Sequence, residues 1–204
     1  SPRISPDGKW VAFSSRQVGN ADVYVMPLAG GEIKQLTFHS ATDEVNNWSW
    51  DSKKIYFTSS RMGQISAFTV PLTGGTAQRL FGDHFFLLDH GIAEHPSGDI
   101  YFNDTWESAN QASRKRYKGP FNPDIQSYNP STKQYKKHTD WEGKDFATTI
   151  DKSGKLYFIS DEANGEYNLY TFKGATKTPL TDFPTSIMWP KVSANGEKIV
   201  FRKD

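Results

Sequence analysis

The stretch Ser5–Phe13 reads SPDGKWVAF, and imperfect repeats of it occur along the chain. In each copy a turn-forming centre leads into alternating apolar and polar residues, the pattern of a tight turn followed by a β-strand. Five copies in 204 residues indicate a repeat protein, in which each repeat buries its core against its neighbours. The later copies are Ser49–Phe57 (SWDSKKIYF), His95–Phe102 (HPSGDIYF), Asp151–Phe158 (DKSGKLYF) and Ser193–Phe201 (SANGEKIVF).

The spacing of these copies, here called cassettes, points to a fold class. Their centres are 44, 46, 56 and 42 residues apart. Periods of roughly 40–50 residues that hold several short strands are typical of β-propeller blades. The sequence therefore predicts an all-β protein, a β-propeller of four-stranded antiparallel blades, incomplete at about four and a half blades. We expect a single propeller fragment over residues 1–204, with blades over 1–37, 46–80, 91–139 and 145–181, a half blade over 188–204, and an insertion over 104–123.

The partial blade at residues 188–204 has a consequence for association. The chain opens inside an inner strand and closes after two strands of a fifth repeat, as expected for a piece of a larger ring. Unpaired sheet edges are templates for pairing with another chain. We therefore expect an oligomer formed through open sheet edges.

The tryptophans divide into strand and loop positions. Trp106 and Trp141 stand in loops, where they are freer to contact a partner. Large aromatic side chains fill the wedge between sheets, and each contributes about 1.5–3 kcal/mol when fully buried. We expect such burial between blades for the four at strand positions, Trp10, Trp48, Trp50 and Trp189.

Composition excludes several classes of function. The net charge is +1, with acids and bases interspersed, whereas a nucleic-acid-binding domain usually has a basic face. No apolar run approaches the roughly 20 residues that a membrane-spanning helix needs, so we expect no membrane insertion. The chain has no cysteine, which excludes disulfides, thiol nucleophiles and thiolate metal sites.

No catalytic or metal motif is evident. The nearest match to a G-x-S-x-G nucleophile elbow, Gly63–Ala67, fails at its last position. His84, Asp89 and His90 cluster, and His39 lies four residues before Asp43, but neither set has the spacing of a zinc site. We expect polar loop residues here, and no catalytic residue, cofactor or metal in the chain.

Strand direction predicts where a ligand would bind. Because successive strands alternate in direction, the cassette turns share one face of the propeller, and the longer, more varied connections share the other. Binding residues concentrate on such loops. A second interpretation is that Arg16 and Arg61, at matching repeat positions, pair with acids in neighbouring blades. The candidate contacts to a peptide or partner on the loop face are Arg16, His39, Arg61, Arg116 and Tyr117.

The insertion carries a basic cluster around Tyr117. Arg114, Lys115, Arg116 and Lys118 could hold a carboxylate or phosphate, since Arg forks match such anions bidentately. A solvated basic loop that packs Tyr117 on the blade is the alternative, and the near-neutral charge of the whole chain favours it.

Several segments together carry a family resemblance. Pro2–Arg16, Asp22–Pro27 and Gly30–Leu36 form one pattern, which Ala41–Val45 and Trp48–Asp51 continue. This pattern resembles the N-terminal propeller of tricorn-like peptidases. Tol-system and prolyl-oligopeptidase propellers also carry the cassette, so the cassette alone does not distinguish these three propeller families.

The insertion makes the resemblance more specific. Arg114–Gly119 reads RKRYKG and is followed by Asp124–Ile125. The family usually has R-x-W-K-R-Y-x-G-G and then D-I/L-W. This chain departs from that pattern at Arg114, Pro120 and Gln126.

The resemblance implies a domain that has no catalytic activity of its own. It implies a non-catalytic propeller domain of a serine peptidase, which shapes peptide access or docks to a catalytic domain outside this chain. The implied partners are downstream peptidase and PDZ-like domains, and peptides or a partner protein. The alternatives are a protein-binding module like the Tol-system periplasmic propeller, or the gating propeller of a prolyl-oligopeptidase-type enzyme. The resemblance favours an exported or periplasmic location, and a cytoplasmic one stays open.

Overall fold

The structure, a computed structural model, describes residues 2–82, 88–105 and 114–203. Within these ranges the regular elements are eighteen β-strands, and no helix is present there. The all-β prediction is therefore confirmed. No helix in the described ranges is long and apolar enough to cross a membrane. The chain divides into two compact units, Ser1–Glu94 and His95–Asp204.

The first unit consists of strands joined by short connections. They are β1 (Arg3–Ile4), β2 (Trp10–Ser15), β3 (Asp22–Pro27), β4 (Lys34–Gln35), β5 (Asp43–Trp48), β6 (Lys54–Ser59), β7 (Ser66–Pro71), β8 (Gln78–Arg79) and β9 (His90–Glu94). Strands β1–β4 form one antiparallel sheet in sequential order, and β5–β8 form a second. Trp10 opposes Pro27 in the first sheet as Lys54 opposes Pro71 in the second, so the two blades are built alike.

The second unit repeats this design. Its strands are β10 (Ile100–Asn103), β11 (Gln126–Asn129), β12 (Gln134–Lys137), β13 (Asp145–Ile150), β14 (Leu156–Ser160), β15 (Asn168–Lys173), β16 (Thr176–Pro179), β17 (Ile187–Val192) and β18 (Ile199–Lys203). Strands β13–β16 form an antiparallel sheet in sequential order. Strands β10, β11 and β12 pair antiparallel, and so do β17 and β18.

Each unit has its own apolar core. In the first unit the cluster includes Val25 on β3 with Ile55 and Phe57 on β6. In the second unit it includes Ile159 on β14 and Ile187 on β17. All five side chains are fully buried, and each contributes about 1.5–3 kcal/mol relative to exposure. Ile55 and Phe57 stand two positions apart on β6, so both side chains lie on the same face of that strand.

The cassette turns are closed by side-chain hydrogen bonds. The Ser5 hydroxyl donates to Asp7 Oδ1 at 2.6 Å, and the same oxygen accepts the Lys9 amide at 3.1 Å. Ser49 and Asp51 repeat the first contact at 2.7 Å. Short polar side chains that bond the nearby backbone stabilise turns, which explains why Ser and Asp recur in the cassette.

In each of three blades, a threonine after the outer strand bonds to the third strand of the same blade. Val23 donates its amide to Thr37 Oγ1 at 2.9 Å, and the Thr37 hydroxyl donates to Asp22 Oδ1 at 3.1 Å. This arrangement, called here the threonine clamp, ties the end of the outer strand to the start of the third strand. It recurs at Thr139 with Ile125 and Asp124, and at Thr181 with Leu169 and Asn168.

At each of four junctions between successive blades, a backbone hydrogen bond within one unit joins the two blades. The amide of Asp43, at the start of β5, donates to the carbonyl of Ala21, just before β3, at 2.7 Å. This inter-blade link provides a backbone partner where the chain passes from one blade to the next. The remaining links run from Asp89 to Ile65 (2.9 Å), from Asp145 to Pro123 (3.0 Å) and from Ile187 to Tyr167 (2.9 Å).

The tryptophan prediction was wrong at one position. Trp48 is buried, and its indole N–H donates to the Arg3 carbonyl at 2.8 Å. Trp10 and Trp50 are partly buried. Trp189, however, is 58% exposed, with φ of 51° at a register shift in β17. A bulge breaks the alternation of side chains between the two faces of a strand, which places this ring in solvent.

Candidate binding loops and an outer groove

In the first unit, the Asn20 side chain connects two of the loops predicted to bind a peptide or partner. Its side-chain amide donates to the carbonyl of His39 at 2.6 Å and to that of Ala41 at 3.0 Å. Arg16 opens the turn that contains Asn20 and accepts the Gly19 amide through its carbonyl. The structure therefore places Arg16 and His39 on adjoining loops.

Both side chains are open to solvent. Among the described residues, the Arg16 guanidinium has no ion-pair partner, and its side chain is exposed. The His39 ring is exposed. Its Nδ1 accepts a hydrogen bond from the Ala41 amide at 3.0 Å, and Nε2 takes no part in that contact. These two residues can meet a ligand without disturbing the interior.

Arg61 lies in a different environment. Its Nη2 lies 2.6 Å from Asp43 Oδ2, its Nε donates to Ser59 Oγ at 3.0 Å, and the guanidinium covers the Phe68 ring at 4.8 Å. The Arg61 side chain is 14% exposed and that of Asp43 is fully buried. Arg61 therefore stabilises its own blade, since Asp43 stands on β5 of the same sheet.

The two arginines do not occupy the same position of the repeat. Arg16 follows β2 directly, whereas Arg61 follows β6 after one further residue. The pairing acid also belongs to the same blade as Arg61, and not to a neighbouring one.

In the second unit, acids neutralise the basic cluster of the insertion. Lys115 Nζ lies 2.8 Å from Glu166 Oε2, and Arg116 Nη2 lies 3.3 Å from Oε1 of the same carboxylate. Lys118 pairs with Glu142. These contacts favour a loop that packs on the blade over a site for a free anion, because the positive charges already have partners.

The contacts of Glu166 and Tyr117 support this interpretation. Hydrogen bonds from Lys115 and Ser186 hold the pKa of the Glu166 carboxyl below its usual value, so it is ionised at neutral pH. Tyr117 is partly buried, and the Arg114 guanidinium lies 3.9 Å from its ring centroid. Arg116 remains largely exposed beside these groups.

The cluster of His84, Asp89 and His90, which was expected to consist of polar loop residues, is described only in part. His84 and Trp106 lie outside the described residues. Asp89 accepts the Ala67 amide at 2.9 Å through Oδ2, which is a structural contact with β7 of the preceding blade. In the described ranges, no group of three or more His, Asp or Glu side chains is arranged to hold a metal ion.

An open groove in the second unit was not found from the sequence. It has a volume of about 260 Å³. Its apolar wall consists of Trp141, Phe172 and His138, and its charged groups are Asp140, Glu162 and Lys177. These residues come from the segment after β12, the turn after β14, and strands β15 and β16. We call this the Trp141 groove.

A buried ion pair underlies the Trp141 groove. Lys177 Nζ lies 3.0 Å from both carboxylate oxygens of Asp145 and 2.6 Å from Glu162 Oε2. The Asp145 side chain is fully buried, and burial raises its pKa to about 6 although Lys177 opposes the shift. The Trp141 indole N–H donates to Asp161 Oδ1 at 2.8 Å, which fixes the ring.

Only one sequence signal pointed to this groove. Trp141 is a tryptophan in a loop, and such residues are often available to a partner. The charged residues Asp140, Glu162 and Lys177 gave no signal because they are separated by 22 and 15 positions, and a groove forms only when the blades pack.

Four-stranded antiparallel blades that recur at this spacing define a β-propeller domain. Residues 1–204 match the model of the tricorn protease N-terminal beta propeller domain, and the chain belongs to that family. The family prediction from the cassette and the insertion is confirmed.

A curated relative agrees with this assignment. Tricorn protease homolog 1 of Streptomyces coelicolor is 45% identical over 51 residues. The matched region is 24% of this chain and 5% of that relative, so the chain spans a small part of it.

Solved structures show the same fold at low sequence identity. The putative TolB from Agrobacterium tumefaciens superposes with a TM-score of 0.78 at 22% identity, covering 100% of this chain and 69% of that one. The crystal structure of the tricorn protease superposes with a TM-score of 0.77 at 20% identity, covering 99% of this chain and 20% of that one.

Proposed function

We propose that this chain is the non-catalytic propeller domain of a tricorn-like peptidase, and that it docks peptides or shapes their access to a catalytic domain outside the chain. The family match over residues 1–204 carries this proposal. The loops of the first unit support it, because they present Arg16 and His39 to solvent on adjoining loops.

The alternatives are less well supported. The likeness to TolB is as close in shape as the likeness to the tricorn protease, so shape does not separate a protein-binding propeller from a peptidase propeller. The match of the chain to the tricorn family model favours the peptidase interpretation.

Peptide binding by the purified chain tests the proposal. Fluorescence anisotropy with labelled mixed-sequence peptides of 8 to 12 residues should show saturable binding. The variant Arg16→Ala/His39→Ala should bind more weakly, because both exposed side chains are candidate contacts. The control Lys9→Ala/Lys53→Ala removes two exposed cations from the cassette turns and should bind as the wild type does. Absence of binding, or equal losses in both variants, would refute the proposal.

Peptide hydrolysis gives an independent test. We expect no turnover of fluorogenic peptides by the purified chain, since no nucleophile motif is present in its sequence. Steady turnover that a single serine substitution abolishes would contradict the non-catalytic assignment.

A further inference from the structure

The charge balance of the Trp141 groove is negative. Lys177 is its cation, and that ammonium already contacts Asp145, Glu162 and the Ser160 hydroxyl. Asp140 is exposed and has no hydrogen bond or ion pair with the described residues. Oε1 of Glu162 likewise has no partner among them. Two carboxylates therefore have unused acceptor capacity inside one cavity.

His138 does not offset this charge. Burial lowers the pKa of its imidazole, so the ring is neutral at pH 7. It lies 4.9 Å from the Tyr101 ring in a stacked arrangement and shares a 2.8 Å hydrogen bond with Ser127 Oγ. His138 therefore serves as a rigid aromatic wall of the groove.

The size and lining of the groove select a type of ligand. Its volume of about 260 Å³ lies below the roughly 300–1,000 Å³ of sites for drug-sized molecules, so one side chain suits it better than a larger cofactor. Phe172 and Trp141 provide apolar surface for a flexible stem, although the Lys118 and Lys177 ammoniums lie 5.0 Å and 5.6 Å from the Trp141 ring centroid. Asp140 and Glu162 provide acceptors for a cation. Lysine and arginine have this combination of an aliphatic stem and a charged end.

We infer that the Trp141 groove binds the side chain of a lysine or arginine in a peptide, with the cation between Asp140 and Glu162 and the stem against Trp141 and Phe172. This inference rests on the proposed function in that the ligand is a peptide. It adds a chemical preference, for cationic side chains, and a location in the second unit.

Small ligands test the inference without requiring a full peptide. The ¹⁵N-labelled chain is titrated with the acetylated amides of lysine, arginine, norleucine and glutamate, and the Trp141 indole N–H is followed by NMR after assignment with Trp141→Phe. The lysine and arginine compounds should give saturable shifts. Norleucine, which has the stem but no charge, and glutamate should not.

Charge-removing variants locate the site. Asp140→Asn and Glu162→Gln should each weaken lysine binding about two- to fivefold, and the double variant about tenfold, as expected for partly exposed ion pairs. The control Glu197→Gln removes an exposed carboxylate from a cassette turn of the same unit and should leave binding unchanged. The amide spectrum of each variant verifies its fold.

Three results would overturn the inference: no saturable shift with lysine or arginine, an equal shift with norleucine, or unchanged affinity in the double variant. Its failure is distinguishable from failure of the proposed function. If the amides do not bind and longer peptides still do so through Arg16 and His39, the groove is excluded and the docking role stands. If the amides bind and longer peptides do not, the docking role is excluded.

Discussion

At the scale of single residues, the fourth position of each cassette adopts a left-handed backbone conformation. Gly8 has φ of 71°, and Gly98, Gly154 and Gly196 have comparable values. Glycine tolerates this region because it has no Cβ. Ser52 stands at the same position of the second cassette with φ of 60°, and its hydroxyl accepts the Asp7 amide at 3.1 Å. The fourth position of the cassette thus keeps the left-handed backbone conformation even where serine replaces glycine.

We predict that Gly8→Ala destabilises the chain by about 1 kcal/mol, the cost of placing a Cβ in the left-handed region. Space is not the cause, because no atom lies within 4 Å of the added Cβ. Gly82→Ala is the matched control, since Gly82 has equal space and no positive φ. Urea unfolding measures both. A stabilised Gly8→Ala variant would show that the turn relaxes to accept the side chain.

Arg61 and Arg16 form a second matched pair. Arg61→Ala leaves the buried Asp43 carboxylate without its cation, and we expect a loss of about 3–5 kcal/mol. Arg16→Ala removes an exposed side chain and should change the free energy of unfolding by less than about 0.5 kcal/mol. Chemical denaturation distinguishes the two variants, and equal effects would contradict the structural role assigned to Arg61.

At the scale of elements, the threonine clamp connects the outer edge of a blade to its third strand. We predict that Thr37→Val costs about 1–3 kcal/mol, because the buried Val23 amide loses its acceptor while the size of the side chain is kept. Thr132→Val, at an exposed turn position, is the control. Hydrogen exchange at the Val23 amide provides the measurement. Unchanged protection in Thr37→Val would mean that the clamp is dispensable.

The ion pair between β13 and β16 predicts a pH dependence. Burial raises the pKa of Asp145 from 3.8 to about 6, so between these values the folded state binds more protons than the unfolded state. Stability from this group is therefore greatest at low pH and falls as pH rises through about 6. The wild type should lose up to about 3 kcal/mol relative to Asp145→Asn between pH 4 and pH 7. Urea unfolding at several pH values measures the difference, and parallel curves for the two proteins would contradict it.

Sequence reasoning was most successful for these local elements. The Pro-Asp-Gly turn at residues 6–8 and the alternation that follows it are short-range signals, so β2 and its repeats were predictable. The contact of Arg61 with Asp43 was not, because it forms between residues 18 positions apart in the chain. The exposure of Trp189 was also missed, since nothing in the sequence marks the irregularity in β17.

At the scale of the whole molecule, an edge strand predicts association. In the described ranges β18 pairs with β17 alone, and Val200 on β18 is 67% exposed. We expect concentration-dependent association by sedimentation velocity. Val200→Lys should reduce it, because charges on edge strands oppose pairing. Val18→Lys makes the same change at an exposed turn valine and should have no effect. Sedimentation as a monomer at every concentration would contradict the prediction.

The whole-molecule features differ in how far the sequence reveals them. The repeat period was sufficient to predict the propeller class, since blades of similar length leave a regular spacing. The Trp141 groove was not predictable, because Asp140, Glu162 and Lys177 meet only through the packing of separate segments. The repeat pattern predicts features that recur in every blade, whereas this groove depends on residues that are not part of the repeat.

The inter-blade links have a consequence for how such a chain can evolve. Donor and acceptor are 22, 24, 22 and 20 residues apart in the successive links, so the segment between them keeps a nearly constant length. The insertion predicted at residues 104–123 precedes that segment and ends at the acceptor Pro123, between the second and third strands. New sequence can therefore accumulate there without altering the connections between blades.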